Sequence, residues 1–253
     1  MLFVKRQSYL IKTEIMSNVV LYKADSRGKA NHGWLRTHHT FSFAGYFDPS
    51  RMHFGELRVL NDDEIDGGMG FPTHPHDNME IITVILEGAI EHKDSMGHTE
   101  ILKKGEVQVM SAGTGIKHSE YNASKNELLS LFQIWIFPDK QDVTPRYAQQ
   151  AYDVSKTKNN FIEIVTPDDG INPLWIHQHA WLSLGDFEVN QKQEYRIKRC
   201  GNGLFAMVID GECEIVGQKL TNRDAIGIWD TLTVDISITK PNTKILLIDV
   251  PME

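Results

Sequence analysis

Residues 71–88 read FPTHPHDNMEIITVILEG, and this stretch decides how the chain folds. Two histidines, His74 and His76, stand two positions apart, and a run rich in isoleucine and valine follows them. A short apolar run that ends at a glycine predicts a buried β-strand. On an extended segment the two imidazoles point to the same side, about 7 Å apart along the chain. The stretch therefore predicts a strand with two possible metal ligands at its mouth.

A second pair with the same spacing lies further along the chain. His118 and Glu120 occur in MSAGTGIKHSEYN, after a Gly-Thr-Gly turn. Two strands brought together in a barrel would converge three imidazoles and one carboxylate on one point and leave coordination positions open. Pro75, between the first two histidines, fits only an edge or irregular strand, as at the mouth of a barrel. The two pairs together indicate a reactive metal site.

The rest of the chain predicts an all-β fold with two barrel domains. Short β-rich runs alternate with turn signals throughout, and the polar stretch 139–160 separates two sets of them and is interpreted as a connecting segment. VILEGAIEH in the first set echoes VIDGECEI in the second, which indicates duplication. No histidine follows His179, so we expect the metal in the first domain, 16–138, and none in the second, 161–253.

Composition and charge exclude several classes of protein. Lys and Arg number 26 against 34 Asp and Glu, which gives a net charge of -8, so we expect neither nucleic-acid nor membrane binding. Two cysteines are too few for a disulfide framework and favour a reducing compartment. Residues 1–15 lack an unbroken apolar segment, so we interpret them as an extension ahead of a natural start at Met16. A cytoplasmic location is predicted.

The spacing across both motifs resembles the two metal motifs of the cupin barrel. Gly68 to Gly88 reads G-x5-H-P-H-x3-E-x7-G, and Gly105 to Asn122 reads G-x7-G-T-G-x2-H-x-E-x-N. Three further stretches, HTFSFAGYFDP, LFQIWIFPD and TPRY, narrow the resemblance to the pirin family of two-barrel cupins. The resemblance is strong over about residues 20 to 150 and only general beyond them, which implies a second cupin barrel that has lost its metal ligands.

The resemblance implies one divalent transition metal per chain, iron first, with Cu, Ni, Mn and Zn open. Its ligands would be His74, His76, His118 and Glu120. It also implies a dioxygenase that cleaves a planar aromatic flavonol such as quercetin with O2 and releases CO. In the wider cupin superfamily the carboxylate ligand comes from the first motif, here Glu80, which would share a face with His76 on one strand. Glu120 is the first candidate for the catalytic base and Glu80 the second.

Two other functions remain open at this stage. Some pirins are regulatory proteins that change their affinity for a protein partner with the redox state of the metal, and an intact ligand set fits that role as well. A cupin isomerase or sugar-binding protein would bind metal without consuming O2. We expect a monomer, and the natural substrate is not determined by the sequence.

Several other histidines and aromatics are given structural interpretations. His177 and His179 repeat the two-residue spacing without downstream partners, so a structural or interdomain role is predicted. His92 and His98 flank a predicted turn, and His38 and His39 are adjacent and would face opposite ways. Four aromatic residues could line a pocket for a planar ligand or pack in the core; they are Phe41, Phe43, Phe132 and Trp135.

Overall fold

The computed structural model describes residues 17–253, except 169 and 173. The predicted extension of residues 1–15 and the start at Met16 lie outside the described residues. Two short 3₁₀ segments, Ala24–Ser26 and Val154–Thr157, accompany 22 strands in the described part of the chain. The strands are β1 (Asn18–Tyr22), β2 (Gly28–Asn31), β3 (Leu35–His39), β4 (Leu57–Ile65), β5 (Gly70–His76), β6 (Glu80–Glu87), β7 (Ala89–Asp94), β8 (Thr99–Lys103), β9 (Glu106–Ser111), β10 (Ile116–Asn122), β11 (Leu129–Ile136), β12 (Arg146–Ala151), β13 (Phe161–Pro167), β14 (Trp175–Ile176), β15 (Trp181–Phe187), β16 (Lys192–Arg196), β17 (Asn202–Asp210), β18 (Glu212–Ile215), β19 (Gln218–Thr221), β20 (Ala225–Trp229), β21 (Thr233–Ile238) and β22 (Thr243–Pro251).

The strands form two barrels, each built from one large and one small sheet. The first barrel has a seven-stranded sheet, β12-β9-β6-β11-β4-β3-β2, and a four-stranded sheet, β5-β10-β7-β8. The second repeats this plan with β1-β20-β17-β22-β15-β13-β14 and β16-β21-β18-β19. The predicted all-β, two-barrel architecture is confirmed.

The two large sheets pack face to face. Because side chains alternate along a strand, each buried residue of these sheets faces either the core shared by the two barrels or the interior of its own barrel. On β6 and β11 of the first barrel, Ile82, Val84, Phe132 and Ile134 point toward the second barrel and belong to the shared core. Their neighbours in sequence point the other way, into the first barrel. Phe205 anchors the shared core, with its ring centroid 5.4 to 5.8 Å from three other aromatic rings. Its truncation to alanine would cost about 3–5 kcal/mol.

The interiors of the two barrels differ in chemistry. The interior face of the large sheet in the first barrel carries the polar side chains Asn61, Thr83, Gln108 and Gln133, which hydrogen-bond to groups inside the barrel. In the second barrel the interior core is almost entirely aliphatic, with Leu204, Ala206, Val208, Ile245 and Leu247 among its fully buried residues. Among the described residues, every cluster of three possible metal ligands lies in the first barrel.

Two strands cross the boundaries drawn from the sequence. Strand β1, in the segment assigned to the first domain, pairs along its whole length with β20 of the second barrel. Strand β12 lies in the stretch interpreted as a connecting segment, yet it pairs with β9 of the first barrel. Its sequence, RYAQQA, lacks a run of apolar residues because β12 is the edge strand of its sheet and none of its residues is fully buried.

Candidate metal centre

Antiparallel pairing of β5 with β10 brings three imidazoles together in the first barrel. His118 lies directly opposite His74, and Ile116 lies opposite His76. The ring centroids are 4.4 Å apart for His74 and His118, and 4.9 Å apart for each of the other two pairs. One ring nitrogen of each histidine lies within 4.8 Å of the others, a spacing at which three ligands could share one ion.

The donor atoms fit a metal ion. His118 is 1% exposed, and neither of its ring nitrogens has a hydrogen-bond partner in the protein. Burial, followed by the neighbouring His74 and His76, lowers the pKa of His118 to about 2, and burial lowers that of His76 to about 4. Both rings are therefore neutral at physiological pH and present lone pairs.

His74 is held in a tautomer that suits a ligand. Its Nδ1 lies 2.8 Å from the carbonyl oxygen of Pro72. A carbonyl oxygen only accepts, so Nδ1 carries the proton and donates it, and Nε2 keeps a free lone pair. This is the backbone contact by which metal-binding proteins commonly orient an imidazole.

The Glu120 carboxylate is fixed from the opposite wall of the barrel. Gln108 Nε2 donates to Glu120 Oε1 at 3.0 Å, and Gln133 Nε2 donates to Oε2 at 2.9 Å. The Thr83 hydroxyl accepts a hydrogen bond from Gln108 Nε2 and donates one to Gln133 Oε1. These bonds close a ring of side-chain hydrogen bonds that includes the Glu120 carboxylate. Burial raises the pKa of Glu120 to about 7, against the opposing effect of the two amides. A register shift in the β5–β10 pairing lies between His118 and Glu120.

A histidine that the sequence interpretation left outside the site also belongs to this group. His92 is fully buried and lies opposite Glu120 on the neighbouring strand β7. Its donor atom and those of His118 and Glu120 are within 4.8 Å of one another, so two possible ligand groups share His118. His92 Nε2 lies 3.3 Å from Asp94 Oδ2, and its Nδ1 has no partner. His92 does precede the predicted turn, but strand pairing brings it to the site.

Glu80 lies elsewhere, on a different strand from His76. His76 ends β5, and Glu80 begins β6 in the other sheet of the barrel, with a bend at Asn78, whose φ is 41°, between them; the two residues therefore do not share a strand face as the sequence interpretation assumed. Glu80 instead accepts a hydrogen bond from Ser111 Oγ at 2.8 Å, on the side of the sheet that packs against the second barrel. Burial raises the pKa of Glu80 to about 7, although Ser111 and the backbone amide of His177 oppose this. Glu80 is in neither group of possible ligands among the described residues.

The other residues that the sequence analysis singled out lie in three places: the junction of the barrels, the shared core and the border of the metal cluster. His177 and His179 lie at the junction of the barrels, where the amide of Asp139 donates to the His177 carbonyl at 2.7 Å. Phe41 and Phe132 are fully buried in the shared core. Trp135 packs edge-on against His76 with ring centroids 4.9 Å apart, and Phe43 packs against Trp135, so these two aromatics do border the site.

Two β-barrels joined through their large sheets, with histidines and a carboxylate clustered inside only one of them, define a two-domain cupin with one candidate metal centre. Comparison with known proteins narrows this class. The family model for pirin matches residues 21–136, and the model for the quercetinase C-terminal cupin domain matches residues 163–250. The chain belongs to the pirin family.

The relatives support this assignment over almost the whole chain. The quercetin 2,3-dioxygenase of Escherichia coli K12, an oxidoreductase, is 44% identical over 237 residues, which cover 92% of this chain and 99% of the relative. A pirin-like protein of Caulobacter vibrioides is 37% identical and covers 89% of this chain and 96% of its own. The crystal structure of the bacterial pirin YhhW of Escherichia coli in complex with nickel(II) has a TM-score of 0.86 at 43% identity, covering 92% and 99% of the two chains. No helix in the described part of the chain has the length and apolar character needed to cross a membrane.

Proposed function

We propose that this protein is a metal-dependent dioxygenase that cleaves a flavonol such as quercetin with O2 and releases CO. The observation that carries the proposal is the set of three clustered imidazoles beside a buried carboxylate, with both ring nitrogens of His118 lacking any partner in the protein. Identity of 44% to a quercetin 2,3-dioxygenase supports the choice of reaction.

The residues that would hold the metal are His74, His76 and His118, with Glu120 as the carboxylate ligand. Iron is our first expectation from the family resemblance, and the nickel complex of the Escherichia coli relative supports nickel as an alternative. When bound, the metal would supply a Lewis-acid centre that acidifies the flavonol hydroxyl and the redox chemistry that O2 requires.

Glu120 is the residue we infer to accept the hydroxyl proton. A carboxylate beside the metal is a group that can take up this proton, and Glu120 is the buried carboxylate next to His118. The amides of Gln108 and Gln133 would keep its oxygens oriented while the proton moves. Glu80 is not assigned this role, since it bonds to Ser111 on the opposite face of the sheet.

The experiment compares three states of the purified protein with quercetin. Protein loaded with Fe²⁺ or Ni²⁺ should consume quercetin in air, seen as loss of its visible absorbance, and release CO to a haem-protein trap. Anaerobic samples and the His118→Ala variant, which lacks the most buried of the three proposed histidine ligands, should do neither. A protein that binds one metal per chain yet leaves quercetin intact in air would refute the dioxygenase and favour a regulatory pirin.

A further inference from the structure

A cavity of about 480 Å³ lies beside the metal cluster in the first barrel. Four flat rings contribute to its walls, those of His39, Phe43, Tyr46 and Phe71. The His39 ring is stacked at 20° to that of Tyr46, with centroids 6.5 Å apart, and Phe43 lies 5.3 Å away on its other side. Such walls suit a planar aromatic ring better than a flexible chain.

The cavity adjoins the imidazole cluster on two sides. Phe71 in its wall has its ring centroid 6.5 Å from that of His74. Phe43 in the opposite wall reaches His76 through Trp135, by contacts of 5.3 and 4.9 Å. The cavity and the imidazole cluster thus share Phe71 as a neighbour, which places the cavity within reach of a molecule of flavonol size held at the imidazoles.

The floor of the cavity holds a carboxyl group whose bonding is incomplete. Asp63 is 4% exposed, and its Oδ1 has no hydrogen-bond partner, while the Thr37 hydroxyl on the neighbouring strand bonds to the carboxyl group. No salt bridge among the described residues includes Asp63. The adjacent polar pair is already satisfied, because His39 Nδ1 bonds to Asn61 Oδ1 at 2.9 Å.

An unpartnered acceptor in a buried site reduces stability unless a donor reaches it. Phenolic hydroxyls are donors attached to flat rings, and they match both the walls and the floor of this cavity. Asp63 also faces the interior of the barrel. It lies two residues from Asn61 on β4, so the two side chains are on the same face of the sheet, and Asn61 lies opposite Gln133, which bonds to Glu120 inside the barrel.

We propose that this cavity receives a hydroxyl-bearing aromatic ring of the substrate and that Asp63 Oδ1 accepts a hydrogen bond from one of its phenolic hydroxyls. Asp63 is thereby a residue that determines substrate specificity, through ring hydroxylation, and the inference rests on the proposed flavonol activity. Metal binding does not require it.

The test uses Asp63→Leu, which keeps the approximate size of the side chain and removes the acceptor, and Asp63→Ala, which removes the acceptor without adding bulk. The control is Glu64→Gln, the next residue on β4, which is exposed and pairs with Arg36. Each protein is assayed with quercetin, with galangin, whose phenyl ring has no hydroxyls, and with 3′,4′-dihydroxyflavonol, whose fused ring has none.

We expect the wild type and the Glu64→Gln control to prefer quercetin over at least one analogue by about tenfold in kcat/KM. Asp63→Leu should reduce that preference to less than about threefold by losing activity on quercetin, with the rate on the disfavoured analogue unchanged. Unchanged preferences in Asp63→Leu, or equal losses on all three substrates, would overturn the proposal. If Asp63→Leu does not fold, as judged by its unfolding transition, the same criteria apply to Asp63→Ala, which also lacks the acceptor.

Binding measurements distinguish a failure of the cavity assignment from a failure of the proposed reaction. Dissociation constants for the three compounds are measured on nickel-loaded protein without O2, by quenching of tryptophan fluorescence. If no flavonol is consumed but quercetin binds at least about fivefold more tightly than one analogue in the wild type and not in Asp63→Leu, the reaction is refuted and the cavity assignment stands. Equal affinities of the wild type for all three compounds would refute the cavity assignment alone.

Discussion

Glu80 offers a quantitative test of the contact between the barrels, through the substitution Glu80→Gln. Burial raises its pKa from 4.5 to about 7, and that difference corresponds to about 3 kcal/mol in the free energy of unfolding. Because the pKa of Glu80 is raised in the folded state, its contribution to the free energy of unfolding is fully present below pH 4.5. That contribution is lost as the pH rises through 7. Glutamine keeps the shape of the side chain and does not ionise, so the variant should escape this loss.

The assay is urea unfolding of both proteins between pH 5 and pH 8. The variant should gain most of about 3 kcal/mol relative to the wild type over this range. Three other buried carboxyls, Asp63, Glu120 and Asp249, also have a raised pKa, but both proteins retain them, so their effects cancel in the difference. Glu87→Gln, at the exposed end of the same strand, is the matched control and should show no such trend. A difference between variant and wild type that does not change with pH would refute the reasoning, because Glu80 would then ionise as an exposed carboxyl does.

Four further outcomes concern the metal. Purified protein should contain close to one transition metal per chain by elemental analysis, and protein without metal after metal-supplemented expression would contradict the site. Glu120→Ala should weaken metal binding and abolish flavonol cleavage, whereas Glu80→Ala should keep its metal; the reverse pattern of metal content would overturn the ligand assignment. Gln133→Leu should lower metal affinity about 10–100-fold in a chelator competition, since Glu120 loses one of the amides that orient it, and unchanged affinity would show that the amide has no such role. His177→Ala and His179→Ala should leave metal content unchanged, and a loss in either would show that the site is misplaced.

The sequence predicted the parts of the site that depend on local spacing. His74 with His76, and His118 with Glu120, are separated by two residues on extended segments, so the shared direction within each pair follows from the geometry of a strand. His92 was not predicted because only its pairing with Glu120 across two strands brings it into the group. A histidine on an alternating apolar strand, between Ile90 and Asp94, was the available signal.

The interpretation of Glu80 failed for a different reason. Counting alternate positions is valid only within one strand, and β5 ends at His76, so Glu80 lies on the next strand, in the other sheet. Non-local pairing also explains the differences at the domain boundaries. The sequence NVVLY predicts a strand, but nothing within it identifies a partner about 200 residues away.

The pairing of β1 with β20 determines the order in which the molecule can be completed. The first described strand to leave the ribosome has its partner at residues 225–229, so it must wait until nearly the whole chain has been synthesised. A cut within 139–160 would then yield no independent halves: the C-terminal fragment would lack an edge strand of its large sheet, and the N-terminal fragment would carry that strand without its partner. Among the described strands, the one made first is therefore paired only after β20 has been made, late in synthesis, and that pairing joins the two barrels.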